Sequence, residues 1–220
     1  MILYHGSDHI IEKPKFHGGN RHNDYGFGFY CTANPDMARE WSSSAEKCGY
    51  LNSYEIDANG LRTLNLDRYP ILCWLTVLLE NRSFYLDSEL AVEACHYLTK
   101  EFHVDYEHFD IITGYRADDS YFSFARDFIN GTIPLGKLSK AMKLGELGTQ
   151  IVLKSEKAID SLRFITSEEV DNNIWFPKRI QRDEKARKEY HSFDKGYVRG
   201  DIYITRILDE EMKSDDPRLQ

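Results

Sequence analysis

The sequence predicts an α+β fold, and three observations predict it. Short strand-like runs and helix-like runs alternate irregularly along the chain. No strand is followed by the GxGxxG turn of a dinucleotide fold, so a Rossmann arrangement is not supported. The chain has 220 residues, 41% of them hydrophobic, enough to bury one sizeable core.

The elements read as follows. Residues 2–4 are apolar and form an opening strand, which His5-Gly6-Ser7 ends as a turn. Residues 14–25 are polar, with Gly18, Gly19, Asn20, Asn23 and Asp24, and form a long loop. Residues 26–32 are aromatic and framed by glycines, a second strand entered through a tight turn. Asn34-Pro35 places a cap and a first-turn proline before a helix over 35–44. Residues 49–57 alternate as a strand. Leucines at helical spacing mark a helix over 69–81, and Asp87-Ser88-Glu89 caps another that runs to about Phe102. Residues 109–114 are a buried strand. Helices over 119–130 and 135–144 are split by Gly131 and Pro134. Residues 150–154 form a strand, 157–162 a helical turn, and 163–166 a closing strand. A charged helix covers about 183–190. Residues 200–207 read as strand or helix, and 214–220 as a frayed tail.

Composition excludes several classes. The net charge is −8 and the pI about 5.5, which argues against nonspecific nucleic-acid binding but not against acting on a few nucleotides. No apolar run approaches the roughly 18 residues that span a bilayer, so no membrane partner is expected. The opening MILYHGSDHI lacks the basic and long apolar regions of a signal peptide. Cys31, Cys48, Cys73 and Cys95 are scattered without a CxxC, which suits a reducing, cytoplasmic compartment. There is no HExxH, and His103 and His108 are badly spaced for one helical face. No metal is expected.

Three segments carry chemistry. In Tyr4-His5-Gly6-Ser7, a histidine beside glycine and serine offers ring nitrogens and backbone groups to a ligand; an ordinary turn histidine is the alternative. In residues 24–32, DYGFGFYCT, glycines allow close backbone approach and aromatics offer flat faces. Phe27 and Phe29 also suit a core strand, while the Tyr30 hydroxyl needs a partner if buried. In residues 148–153, GTQIVL, Gln150 leads an apolar strand, as a site residue or a polar strand edge.

Taken together, these segments resemble the ADP-ribosyltransferase superfamily of the His-Tyr-Glu type, and most closely a bacterial branch labelled as a domain of unknown function. His5-Gly6, Gly28-Phe29-Tyr30 and Gln150 stand at the triad positions, and GYRADDSYF over 114–122 adds to the match. The resemblance covers 1 to about 164 and continues more weakly through 190–207. It implies a split β-sheet core around an NAD cleft, with surrounding helices and a helical C-terminal extension. Domain limits follow as 1–166 for the core, 167–213 for the extension packed on it, and 214–220 for the tail.

The resemblance implies NAD as substrate. His5, Tyr30 and Gln150 would be catalytic. Gly6, Ser7, Asp24, Gly28, Phe29, Thr32, Trp41 and Arg116 would bind NAD. Trp41, eleven residues after Tyr30, would stack on the nicotinamide from the opposite side. Arg21 and His22 lie in the same loop as Asp24, over the cleft. Gln150 departs from the pattern, since an amide can bond a ribose hydroxyl but supplies no charge. Asp118 or Glu146 would then be the auxiliary acid. The implied activity is mono-ADP-ribosylation of a protein or nucleic-acid acceptor by a toxin or anti-phage effector, with an antitoxin as a further partner. The alternatives are an NAD-binding or NAD-hydrolysing domain and a non-enzymatic interaction module.

Overall fold

The structure, a computed structural model, describes residues 1–16, 18–117, 119–144, 148–193 and 198–219, with backbone alone for 119–121. Its elements in order are β1 (Ile2–Ser7), β2 (Phe29–Thr32), α1 (Pro35–Ser42), β3 (Gly49–Ile56), β4 (Thr63–Asn65), α2 (Ile71–Asn81), α3 (Glu89–Glu101), β5 (Ile111–Tyr115), α4 (Asp119–Ile129), α5 (Leu135–Ala141), β6 (Thr149–Leu153), α6 (Glu156–Asp160), β7 (Leu162–Val170), α7 (Asn172–Ser192) and α8 (Ile204–Asp209). The class is α+β. No described helix is long and apolar enough to cross a membrane.

Local chemistry explains the helix starts. The Asn34 side chain accepts from the Asp36 and Met37 amides, with Pro35 in the first turn of α1. Ser88 caps α3 by accepting from the Ala91 amide at 3.1 Å, and Ser155 caps α6 in the same way. In α2 every residue from Leu72 to Leu78 is buried, so its apolar surface faces protein on all sides.

The seven described strands form one mixed sheet in the order β4-β5-β6-β2-β1-β3-β7, parallel only between β4 and β5. Its continuity is uneven. β1 pairs with β3 from Ile2↔Glu55 to Ser7↔Tyr50, and β2 pairs with β6 from Phe29↔Leu153 to Thr32↔Gln150. Between β1 and β2 the register holds a single pair, Tyr4↔Thr32. Beyond it the two strands part, leaving halves β4-β5-β6-β2 and β1-β3-β7 joined at one rung. The larger core lies under α2, α3, α4 and α5 around Trp74, Phe102, Phe124 and Phe128. There the Trp74 indole donates to the Tyr25 hydroxyl and to the Tyr115 carbonyl, each at 3.1 Å. A smaller core of Leu3, Phe29, Tyr54, Ile56 and Leu153 forms a second cluster.

Several boundaries differ from the sequence reading. β1 continues through the expected turn to Ser7, while β2 begins only at Phe29. The short strand β4 was not expected; three residues are too few for a period to show. β7 reaches Val170, so the expected boundary at 166/167 falls inside a strand bonded to β3. α7 starts at Asn172 and holds Pro177 inside it, within the helical extension expected over 167–213 but longer than the charged helix read over 183–190. The ambiguous 200–207 stretch yields the helix α8. The tail expected to fray is packed: Leu219 is 2% exposed, and Arg218 bonds Asp216 at 2.6 Å and Glu210.

Candidate active site

Where β1 and β2 part, a cleft of about 300 Å³ opens, lined by His5, Gly6, Asp24, Tyr30, Trp41, Arg116 and Gln150. Asn23, Arg82, Ala117 and Arg179 complete it. A second, more apolar cavity of about 590 Å³ shares His5, Asn23 and Tyr30 with the first and runs under residues 9–19. The two cavities adjoin at these shared residues, forming a trough beside the opening between β1 and β2.

His5 bridges the opening. Its Nδ1 lies 2.6 Å from the Tyr30 carbonyl oxygen, which only accepts, so Nδ1 carries the proton and donates. The ring stacks on Phe29 with centroids 4.4 Å apart. Burial lowers the His5 pKa, the bond to Tyr30 opposes this, and nearby His9 lowers it further. The ring is therefore neutral at pH 7, and Nε2 is an acceptor suited to a hydroxyl donor.

Tyr30 presents its ring to the cleft, but its hydroxyl is spent within the protein. It donates to the Gly26 carbonyl at 2.6 Å and accepts from the Tyr25 amide at 3.1 Å. Gly26 has φ 70°, a left-handed turn conformation that suits glycine. Burial pushes the Tyr30 phenol strongly upward, so it stays protonated. The hydroxyl partner anticipated for a ligand is thus the entry turn of the strand itself.

Gln150 is the second residue of β6, not the first, because Thr149 opens the strand. It is 7% exposed, in register with Thr32 on one side and Gly114 on the other. Among the described residues its buried Oε1 has no hydrogen-bond partner. A buried amide oxygen left unpaired costs about 1–3 kcal/mol, a penalty that a ligand hydroxyl would remove. Trp41 hangs from α1 with its indole N–H likewise unpartnered, and the Arg116 guanidinium lies 4.2 Å from the ring centroid.

The glycines have packing reasons. A Cβ on Gly6 would sit 2.0 Å from the Ala38 carbonyl oxygen, so α1 touches β1 only because residue 6 is glycine. A Cβ on Gly28 would meet Val152 at 2.5 Å.

Not every expected residue lies in the cleft. Thr32 is 1% exposed, and its Oγ1 accepts from the Asn34 amide, serving the start of α1. Ser7, Gly28 and Phe29 line the second cavity. Ser7 Oγ accepts from the Asn52 side chain at 2.9 Å. Asp24 does border the cleft, yet its carboxylate is engaged by Arg82 at 3.1 Å and by the Ala117 amide at 2.8 Å. It fixes the loop that carries Arg116. Arg21 and His22 line a different cavity, beside Lys154. Asp118 and Glu146, the auxiliary acids, lie outside the described residues.

Sequence reasoning missed Arg82, whereas Arg179 belongs to the C-terminal extension that was expected to pack on the core. Arg82 follows α2 in a loop without a motif, and only its pairing with Asp24, distant in sequence, places it in the site. Arg179 comes from α7. That helix docks through Arg182, whose guanidinium meets Glu40 of α1 at 2.6 Å in a largely buried pair. The Tyr190 ring adds a stack on Phe124 at 3.9 Å.

Among curated proteins and among solved structures, nothing matches the chain. A family model described as a protein of unknown function, DUF3990, matches residues 1–164, which hold every cleft residue except Arg179, and the chain belongs to that family.

Proposed function

We propose that the protein is an NAD-dependent mono-ADP-ribosyltransferase, with the β1/β2 opening as the split-sheet cleft of that superfamily. The observation that carries the reading is the buried Oε1 of Gln150, without a hydrogen-bond partner among the described residues, on the wall of a cleft shared with His5, Tyr30 and Trp41. His5, Tyr30, Trp41 and Gln150 line this one cleft in the chain order that the resemblance implies, with Gln150 in place of the family's Glu. NAD is held across the trough, with the nicotinamide between Tyr30 and Trp41 and its ribose toward Gln150. Neutral His5 accepts from a ribose hydroxyl through Nε2.

Transfer breaks the bond between the nicotinamide nitrogen and ribose C1. The electron pair leaves with nicotinamide, and an oxocarbenium-like ribose remains. The acceptor nucleophile closes a new bond at C1 and releases its proton to solvent. Gln150 orients the ribose by hydrogen bonding without neutralising that cation, so an acceptor that brings its own negative charge suits the site. The biological setting implied by the resemblance is a cytoplasmic toxin or anti-phage effector held in check by an antitoxin.

The test is incubation with labelled NAD and a cell lysate, followed by separate protease and nuclease digestion. Label on a macromolecule is the expected result. Free ADP-ribose alone would indicate a hydrolase, and saturable NAD binding without consumption a binding domain. No binding and no consumption would remove the reading.

A further inference from the structure

The family match ends at residue 164, yet a later element, α7, supplies Arg179 to the cleft. α7 is unlike the rest of the molecule. It carries six lysines and arginines against three carboxylates, in a chain of net charge −8. Its second half spends cations in ion pairs: Arg182 on Glu40, Lys185 on Glu189, Arg187 on Asp183. In its first half, Lys178 and Arg179 have no ion pair among the described residues. The Lys178 Nζ lies 3.9 Å over the Trp175 ring, and the Arg39 guanidinium approaches the same ring at 5.3 Å.

Position narrows what these cations meet. Arg179 lines the cleft with Trp41 and Arg116, and no residue of α7 lines the second cavity. An NAD molecule that fills the second cavity and reaches the nicotinamide site beside Tyr30 leaves Arg179 in the part of the first cleft that the second does not share. A cation doublet interleaved with aromatic residues, Trp175 and Phe176, is the composition of single-strand nucleic-acid sites, where phosphates meet cations and bases meet rings. An acidic peptide would use the cations but would offer no flat partner to the half-buried Phe176 ring beside them. A duplex would not enter a cleft of about 300 Å³.

We propose that the first half of α7 is the acceptor-docking surface and that the acceptor is a single-stranded nucleic acid, its phosphates held by Lys178 and Arg179 at the cleft mouth. The proposal rests on the transferase reading for the word acceptor, while the contact itself is measurable without NAD.

The experiment is fluorescence anisotropy with labelled single-stranded RNA and DNA 12-mers and with a glutamate-rich peptide, at low and moderate salt. The wild-type protein should bind an oligonucleotide, and the affinity should fall as salt rises. Lys178→Ala/Arg179→Ala should weaken binding by about tenfold, as the loss of two phosphate contacts predicts. Lys185→Ala/Lys188→Ala makes the same charge change farther along the helix and should alter binding less than about twofold. Circular dichroism confirms that both variants fold. Absence of oligonucleotide binding, equal losses in the two double variants, or preference for the peptide would each overturn the proposal. Calorimetry with NAD on the wild-type protein is run beside it. Oligonucleotide binding without NAD binding sinks the transferase reading and leaves the docking surface standing; the converse sinks the docking surface alone.

Discussion

Tyr30 performs two tasks that a single substitution can separate. Its ring faces the cleft, while its hydroxyl ties the turn at Tyr25 and Gly26. Tyr30→Phe should keep NAD affinity within about threefold and lower the melting temperature, since one buried hydrogen bond is worth about 1 kcal/mol. Tyr30→Ala should also weaken NAD binding, by about 1–3 kcal/mol, as stacked rings do. Calorimetry and thermal melts of both variants check this; equal affinity in wild type and Tyr30→Ala would take the ring out of the site. The Gln150 pair of variants tests the charge. Gln150→Ala should lower transfer far more than NAD affinity, because the contact strengthens as the ribose becomes cationic. Gln150→Glu should retain or raise NAD hydrolysis while harming transfer. Single-turnover rates of NAD loss and of acceptor labelling separate these outcomes. His5 adds a pH signature. Its folded pKa lies below the ordinary 6.5, so the unfolded chain takes the proton first. Stability is unaffected above pH 6.5 and falls as the pH drops below it. Melts between pH 7.5 and 5.5 should therefore decline more steeply for wild type than for His5→Asn. At this scale much of the site was legible: His5, Gly6, Tyr30, Trp41 and Gln150 come together as their motifs suggest. The task of the Tyr30 hydroxyl was not, because its partners are main-chain atoms and leave no mark in residue identity.

Among the elements, α1 carries the site by its closeness to β1. Gly6→Ala would drive a methyl group into the Ala38 carbonyl, and the helix would have to move off the strand. The expected cost is about 1–3 kcal/mol, read by chemical denaturation, with NAD affinity falling as Trp41 shifts. α7 depends on the Arg182–Glu40 pair, which joins it to the same helix. Arg182→Met alone leaves a largely buried carboxylate without its cation and should cost about 3–5 kcal/mol. Arg182→Met with Glu40→Gln should recover most of that loss, which a double-mutant cycle measures. These attachments also explain why α7 was read too short. Its anchoring comes from ion pairs and ring contacts, and only Ala186 and Tyr190 are buried along its 21 residues. No apolar stripe marks the start, and Pro177 looks like a break. α1, α2 and α3 were legible because caps and apolar spacing lie in neighbouring residues.

For the whole molecule, the sheet order places Gln150 beside Thr32 and Gly114, bringing residues from both halves of the chain to one wall. Such pairings between distant strands are what a single sequence conveys least, since period and turns specify an element but not its neighbour. The opening between β1 and β2 has one more consequence. Main-chain N–H and C=O groups are obligatory hydrogen-bonding partners, and past Tyr4↔Thr32 this pair of strands no longer supplies them to each other. A planar carboxamide set between the strands would restore rungs that the ladder lacks, without any side chain. In deuterated solvent, the amides of residues 5–7 and 29–31 that face the gap should exchange faster than those that β1 and β2 commit to β3 and β6. Any ligand that closes the gap should slow that exchange on both strands together.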